Sequence, residues 1–124
     1  MIVGIGCDIV EHELTLKLGW DKNTKNLVRI FTQKELSKIN PKQKIRFLSG
    51  RFAAKEAVLK ALGIVMEDGI SLNEIQILKE KSGAPKVKLT GRLKKIAQRL
   101  DIHNIQISIS HSSNTSIAFA LAEK

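Results

Sequence analysis

The spacing of hydrophobic positions changes several times along this chain, and each change marks an element. Residues 1–10 are rich in Ile and Val, and strand alternation puts Gly4, Gly6 and Asp8 on one face. Residues 11–30 are polar and weakly periodic, which predicts a helix interrupted near Gly19 and Trp20. Thr32 and Glu35 have capping-box spacing, so a short helix is expected to start there and end near Asn40-Pro41. The strongest helical signal covers about residues 42–62, with Gly63 where a C-terminal cap glycine belongs. Residues 75–78 and 85–89 read as strands joined by a turn around Ser82, Gly83 and Ala84. Thr90 is expected to cap a helix with an apolar stripe of Leu93, Ile96, Ala97 and Leu100. Finally, Ile105, Ile107 and Ile109 alternate with Gln106, Ser108 and Ser110, residues 111–115 turn, and 117–121 return as a hairpin. No repeat, linker or low-complexity tract interrupts this order. The pattern predicts one α+β domain over residues 1–124.

Composition sharpens the picture only through charge. The length of 124 residues suits one domain, and 43% apolar with 27% charged residues is a globular composition. The formal charge is +9, and it is uneven: residues 21–50 hold eight basic and two acidic side chains, and residues 81–100 hold seven basic and none acidic. Such blocks attract polyanions: nucleic acid, anionic lipid, a phosphorylated cofactor or an acidic protein. They are equally readable as solvated helix faces. The lone Cys7 excludes an internal disulfide and a cysteine zinc cluster. No apolar stretch approaches the roughly 20 residues that span a bilayer, and no signal-peptide pattern opens the chain. A cytoplasmic protein with no membrane association is therefore expected. The chain lacks the Gly-rich, HExxH and GxSxG motifs, and four Phe, one Trp and no Tyr make a poor stacking platform for single-stranded nucleic acid.

Two acids sit where acids are uncommon. At about 100° per residue, Ile45, Ser49, Phe52, Ala53 and Leu59 all fall within about 60° of Glu56, with Lys60 one turn on. Glu56 either pairs with Lys60 at the i, i+4 spacing or faces a cleft and holds a metal ion. Spacing alone favours the simple pair. Asp8 lies on the face of Gly4 and Gly6, and glycines clear room where a ligand approaches a backbone. Its alternative role is to end the strand and cap the next turn. Together the acids point to a divalent cation, since Mg²⁺ takes one or two carboxylates, waters and phosphate oxygens. His111 ends a strand and is either a half-buried, hydrogen-bonded histidine or a phosphate contact at a pocket rim. His12 and His103 have no comparable setting. Cys7 reads as a small core residue.

These residues resemble a known family. Gly4-Ile5-Gly6-Cys7-Asp8-Ile9-Val10-Glu11 is similar to the N-terminal signature of the holo-acyl-carrier-protein synthases, small 4′-phosphopantetheinyl transferases. Gly50-Arg51-Phe52-Ala53-Ala54-Lys55-Glu56-Ala57 with Lys60-Ala61-Leu62-Gly63 resembles their second and more specific signature. Segments around Ile30-Phe31-Thr32, Gly83-Ala84-Pro85 and Ser108-Ile109-Ser110-His111-Ser112 follow in the expected order. The resemblance implies an antiparallel sheet packed around one long helix. It implies a homotrimer with sites at subunit interfaces, and transfer of 4′-phosphopantetheine from coenzyme A to a serine of acyl carrier protein for fatty acid biosynthesis. Asp8 and Glu56 match the Mg²⁺ ligands, and Lys60 a phosphate contact beside them. Lys44, Arg51 and His111 are candidates for the 3′-phosphate and neighbouring phosphates. A metal-bound water, Glu56 or Asp8 could take the serine proton. Lys22, Lys25 and Arg29 fit the face that members present from the first helix to the acidic carrier. Leu14 stands where many members have Arg, Ile64-Val65 replaces Thr-Gly after Gly63, and Ala84 replaces a Lys. A small basic nucleic-acid-binding domain is the alternative reading.

Overall fold

Glycine and alanine decide how closely this chain packs. The computed structural model describes residues 1–22, 25–65 and 69–124. Strand β1 (Ile2–Glu11) runs into helix α1 (His12–Lys17), and a 3₁₀ turn at Lys25–Arg29 leads to α2 (Gln33–Leu36). A second such turn, Pro41–Gln43, opens the long helix α3 (Lys44–Ala61). After Leu72–Glu74 come β2 (Ile75–Lys79), β3 (Pro85–Leu89), α4 (Gly91–Arg99), β4 (Asn104–His111) and β5 (Thr115–Glu123). Strands β1, β5 and β4 form one antiparallel sheet in that order, and β2 and β3 form a separate hairpin. The fold is α+β, as the hydrophobic pattern predicts.

Helix α3 crosses the inner face of the three-stranded sheet. That face carries Gly4, Gly6 and Val10 from β1 and Ser116, Ala118, Ala120 and Ala122 from β5, against Ala53, Ala54, Ala57 and Ala61 of the helix. A Cβ on Gly4 would fall on the carbonyl oxygen of Ala61, and one on Gly6 on that of Ala57. The glycines therefore clear space for a helix and not for a ligand, which corrects the expectation from sequence. Gly63 ends α3 at φ 70°, its N–H donating to the Lys60 carbonyl.

The other flank of α3 buries a second apolar cluster of Trp20, Leu27, Phe31 and Leu48, with the Trp20 ring edge-on to Phe31 and Phe52. Between the clusters lies a fully buried ion pair. Lys55 Nζ donates to Glu35 Oε1 at 2.7 Å and to the carbonyls of Ile30 (2.7 Å) and Leu72 (3.2 Å). Glu35 in turn accepts from the backbone N–H groups of Thr32 and Ile77. Burial pulls the Lys55 ammonium down to about 8, against the opposing pull of Glu35. One pair thus ties α2, β2 and two loops to the helix.

Three local expectations change. Cys7 is exposed, because β1 turns its odd positions to the sheet's outer face beside Ile5 (67% exposed), Ile9 (62%) and Phe119 (49%). Thr90 occupies the N-cap of α4 without a side-chain cap bond; Glu74 Oε1 accepts from the Leu93 N–H instead. Leu100 lies outside the buried stripe, at 43% exposure. Gly6→Ala should lower unfolding stability by about 3 kcal/mol, since the clash is with helix backbone and no rotamer relieves it. Denaturant titration checks this, and an unchanged midpoint would refute the close approach.

Candidate active site

The approach of α3 to β1 brings three charged groups together. Lys60 Nζ donates to Asp8 Oδ1 at 3.2 Å and to the Cys7 carbonyl at 2.9 Å. Lys60 thus crosses to the strand, and the simple Glu56–Lys60 helix pair favoured by spacing is not formed among the described residues. Glu56 is left half-buried beside Asp8. Its carboxyl is raised above the ordinary range, first by burial, then by the charge of Asp8, with Lys60 opposing. A carboxyl held up by burial and a neighbouring acid is relieved by a cation. No group of three or more His, Cys, Asp or Glu side chains able to hold a metal occurs among the described residues. A donor set of two carboxylates suits Mg²⁺, which completes its shell with water and phosphate oxygens, better than it suits zinc.

A second feature lies on the other flank of α3. A cleft of about 940 Å³ is edged by Lys34, Lys38, Arg46, Arg51, Lys79 and His111. Arg51 is buried to 8% exposure, its guanidinium stacked 3.9 Å over the Phe47 ring, and its Nε has no hydrogen-bond partner. Burial lowers the pKa of Arg51, with Glu35 opposing. Arg51 lines the cleft, and a guanidinium there offers charged N–H donors to a phosphate oxygen. His111 is half-buried, with Nδ1 2.7 Å from Ser116 Oγ. Burial first, then Arg46, His12, Arg51 and Lys79, hold its pKa below the ordinary histidine value, so the ring is neutral at pH 7.

Asp8, Glu56 and Lys60 do not line this cleft. Arg51 and Glu56 are five positions apart on α3, about 140° around the axis, so one chain presents the two features in different directions. Lys44 is absent from the cleft wall and donates to the Asp21 carbonyl at 3.1 Å. Lys22, Lys25 and Arg29 are exposed, but on the turn and 3₁₀ segment after α1 and not on α1 itself. Two residues escaped the sequence reading. Arg46 lay unremarked in the first basic block. His12 is buried and lies 2.7 Å from the same Ser116 hydroxyl as His111.

Comparison with known proteins places this arrangement. The profile of the 4′-phosphopantetheinyl transferase superfamily matches residues 4–122. The chain belongs to that superfamily. A holo-[acyl-carrier-protein] synthase of Caldicellulosiruptor saccharolyticus is 47% identical, over 100% of this chain and 98% of that protein. The crystal structure of a synthase of the same name from Neisseria meningitidis superposes with a TM-score of 0.87 at 33% identity, over 100% of both chains. The Helicobacter pylori synthase, solved in complex with coenzyme A, gives 0.82 at 30% identity, over 96% of this chain and 99% of that one.

Asp8→Asn should move the Glu56 pKa down toward the ordinary carboxylate value, because the second of its two raising influences is removed. Side-chain ¹³C NMR titration of the metal-free protein reads this, and an unmoved Glu56 would show that the acids do not sense each other.

Proposed function

We propose that the protein transfers 4′-phosphopantetheine from coenzyme A to a serine of apo-acyl carrier protein, acting in the cytoplasm as one transferase domain over residues 1–124. The observation that carries this is the meeting of Asp8, Glu56 and Lys60 on the family's two signature segments. The comparisons give no support to a nucleic-acid-binding domain.

In this reading Asp8 and Glu56 would hold Mg²⁺, which when bound supplies positive charge to the diphosphate of coenzyme A. Lys60 adds its ammonium to the same phosphates. No protein nucleophile is required. The carrier serine oxygen attacks the phosphorus attached to pantetheine. The new P–O bond forms as the bond to adenosine 3′,5′-bisphosphate breaks, and the serine proton passes to Glu56, Asp8 or a water beside them. Arg51, with Arg46 and His111, binds the 3′-phosphate in the cleft. Lys44 is held by Asp21 and contributes long-range charge. Lys22, Lys25 and Arg29 meet the acidic carrier, raising its encounter rate.

The reading also accounts for the split between acids and cleft. The outer sheet face exposes Ile5, Cys7, Ile9 and Phe119 as a contiguous apolar surface, the kind that marks a subunit interface. A homotrimer closed over that face would set the acids of one chain against the cleft of the next.

Mixing the protein with coenzyme A, Mg²⁺ and an apo-carrier should add the mass of the arm to the carrier. Asp8→Ala and Glu56→Ala, folded as judged by circular dichroism, should each lower transfer by at least about 100-fold. Unmodified carriers with folded wild-type protein would overturn the reading. Arg51→Gln should raise KM for coenzyme A by about tenfold and leave KM for 3′-dephospho-coenzyme A nearly unchanged, as steady-state kinetics would show.

A further inference from the structure

Behind the cleft wall, three side chains form a hydrogen-bonded line that the transfer chemistry does not itself require. His12, at the start of α1, is 8% exposed, and its Nε2 lies 2.7 Å from Ser116 Oγ. Ser116, on β5, is fully buried, and its Oγ is also 2.7 Å from His111 Nδ1. The ring centroids are 6.5 Å apart, and the hydroxyl links the two rings by hydrogen bonds. Register adds to the precision of the line, because His111 pairs directly with Ser116 across the β4–β5 ladder. His12 is held from both sides: its N–H donates to the Asn114 carbonyl and its own carbonyl accepts from Thr15 Oγ1. Gly50 of α3 makes room for the His111 ring, since a Cβ there would come within 2.5 Å of Cε1 and 3.3 Å of Nε2.

The hydroxyl has one proton to give and lone pairs to receive. If both imidazoles donated to it, its own proton would be stranded in a dry site, which is costly. One ring therefore donates and the other accepts. Once His12 has taken its role, the protonation of His111 Nδ1 is settled, and with it the tautomer of the whole ring. Nε2 has no protein partner among the described residues and stays available beside Arg46, Arg51 and Lys79, the charged groups that face the ring together with His12. An apolar residue at position 12 would leave Ser116 free to rotate and His111 free to choose.

The geometry points to His12 as a positioning residue: its Nε2–H donates to Ser116 Oγ, whose proton goes to His111 Nδ1, which fixes the ring plane and tautomer of His111 so that an Nε2–H is presented to a phosphate in the cleft. This rests on the phosphate-binding reading of the cleft. It extends that reading to a buried side chain that touches no substrate.

The test uses full-length protein with ¹⁵N-labelled histidine, together with kinetics and 3′,5′-ADP binding by calorimetry. In the wild type, the His111 nitrogens should give the two well-separated shifts of a single neutral tautomer. In His12→Leu and Ser116→Ala they should move toward the average of two tautomers. KM for coenzyme A should rise about fivefold in both, with kcat within about twofold. His12→Gln, whose amide can bond to Ser116, should restore most of the wild-type shifts and KM. Ser116→Ala removes one atom and keeps the proposal testable if His12→Leu fails to fold. Unchanged His111 shifts in these variants would overturn the positioning role, whatever the kinetics show. Wild-type protein that fails to bind 3′,5′-ADP would instead overturn the cleft assignment, and the ¹⁵N shifts would still decide the role of His12.

Discussion

The structure depends on how near helix α3 comes to strand β1. Ordinary side chains on both surfaces would hold them about 10 Å apart; two glycines on the strand and a run of alanines on the helix remove that spacer. The consequence is chemical as well as structural. Asp8 and Glu56 belong to elements far apart in sequence, and only this approach lets them share one electrostatic environment. The raised carboxyl of Glu56 and the diversion of Lys60 to Asp8 both follow from it. The tight seam leaves little tolerance, because neither backbone can yield.

The buried Glu35–Lys55 pair does a different job. Its net contribution to stability is small, since both charges lose water, but the charged atoms of both partners are hydrogen-bonded, and removing either partner would strand a charge. It holds the α2 region and the β2–β3 hairpin against α3 and so shapes the basic cleft. Lys55 and Glu56 are consecutive, yet one faces a dry interior and the other a water-accessible acid site. A helix packed on nearly all sides permits such neighbours.

Much of this was legible in the sequence. Alternation and capping signals placed the five strands of the described residues and the long helix to within a few residues, since period 2 and period 3.6 survive tertiary packing. The capping box of Thr32 and Glu35 formed as read, though Glu35 also serves Lys55, which no local pattern reveals. The fold brings Asp8, Glu56 and Lys60 together, but the pairing among them was not legible, because i, i+4 spacing knows nothing of the strand that crosses the helix. Cys7 was misplaced because its side of the sheet is apolar, and an apolar face reads as core even where it is exposed. His12 gave no signal at all: its partner Ser116 is 104 residues away. Arg46 was one cation among many until the fold put it at the cleft.

In the proposed transfer, the acid pair and the basic cleft act together across subunits. Mixing chains carrying Glu56→Ala with chains carrying Arg51→Glu, after dissociation and reassembly at equal ratio, measures this directly. Each parent should be inactive, and the mixture should recover transfer at about a quarter of its sites, those that combine an intact acid side with an intact cleft side. Activity no greater than the sum of the two parents would contradict the claim.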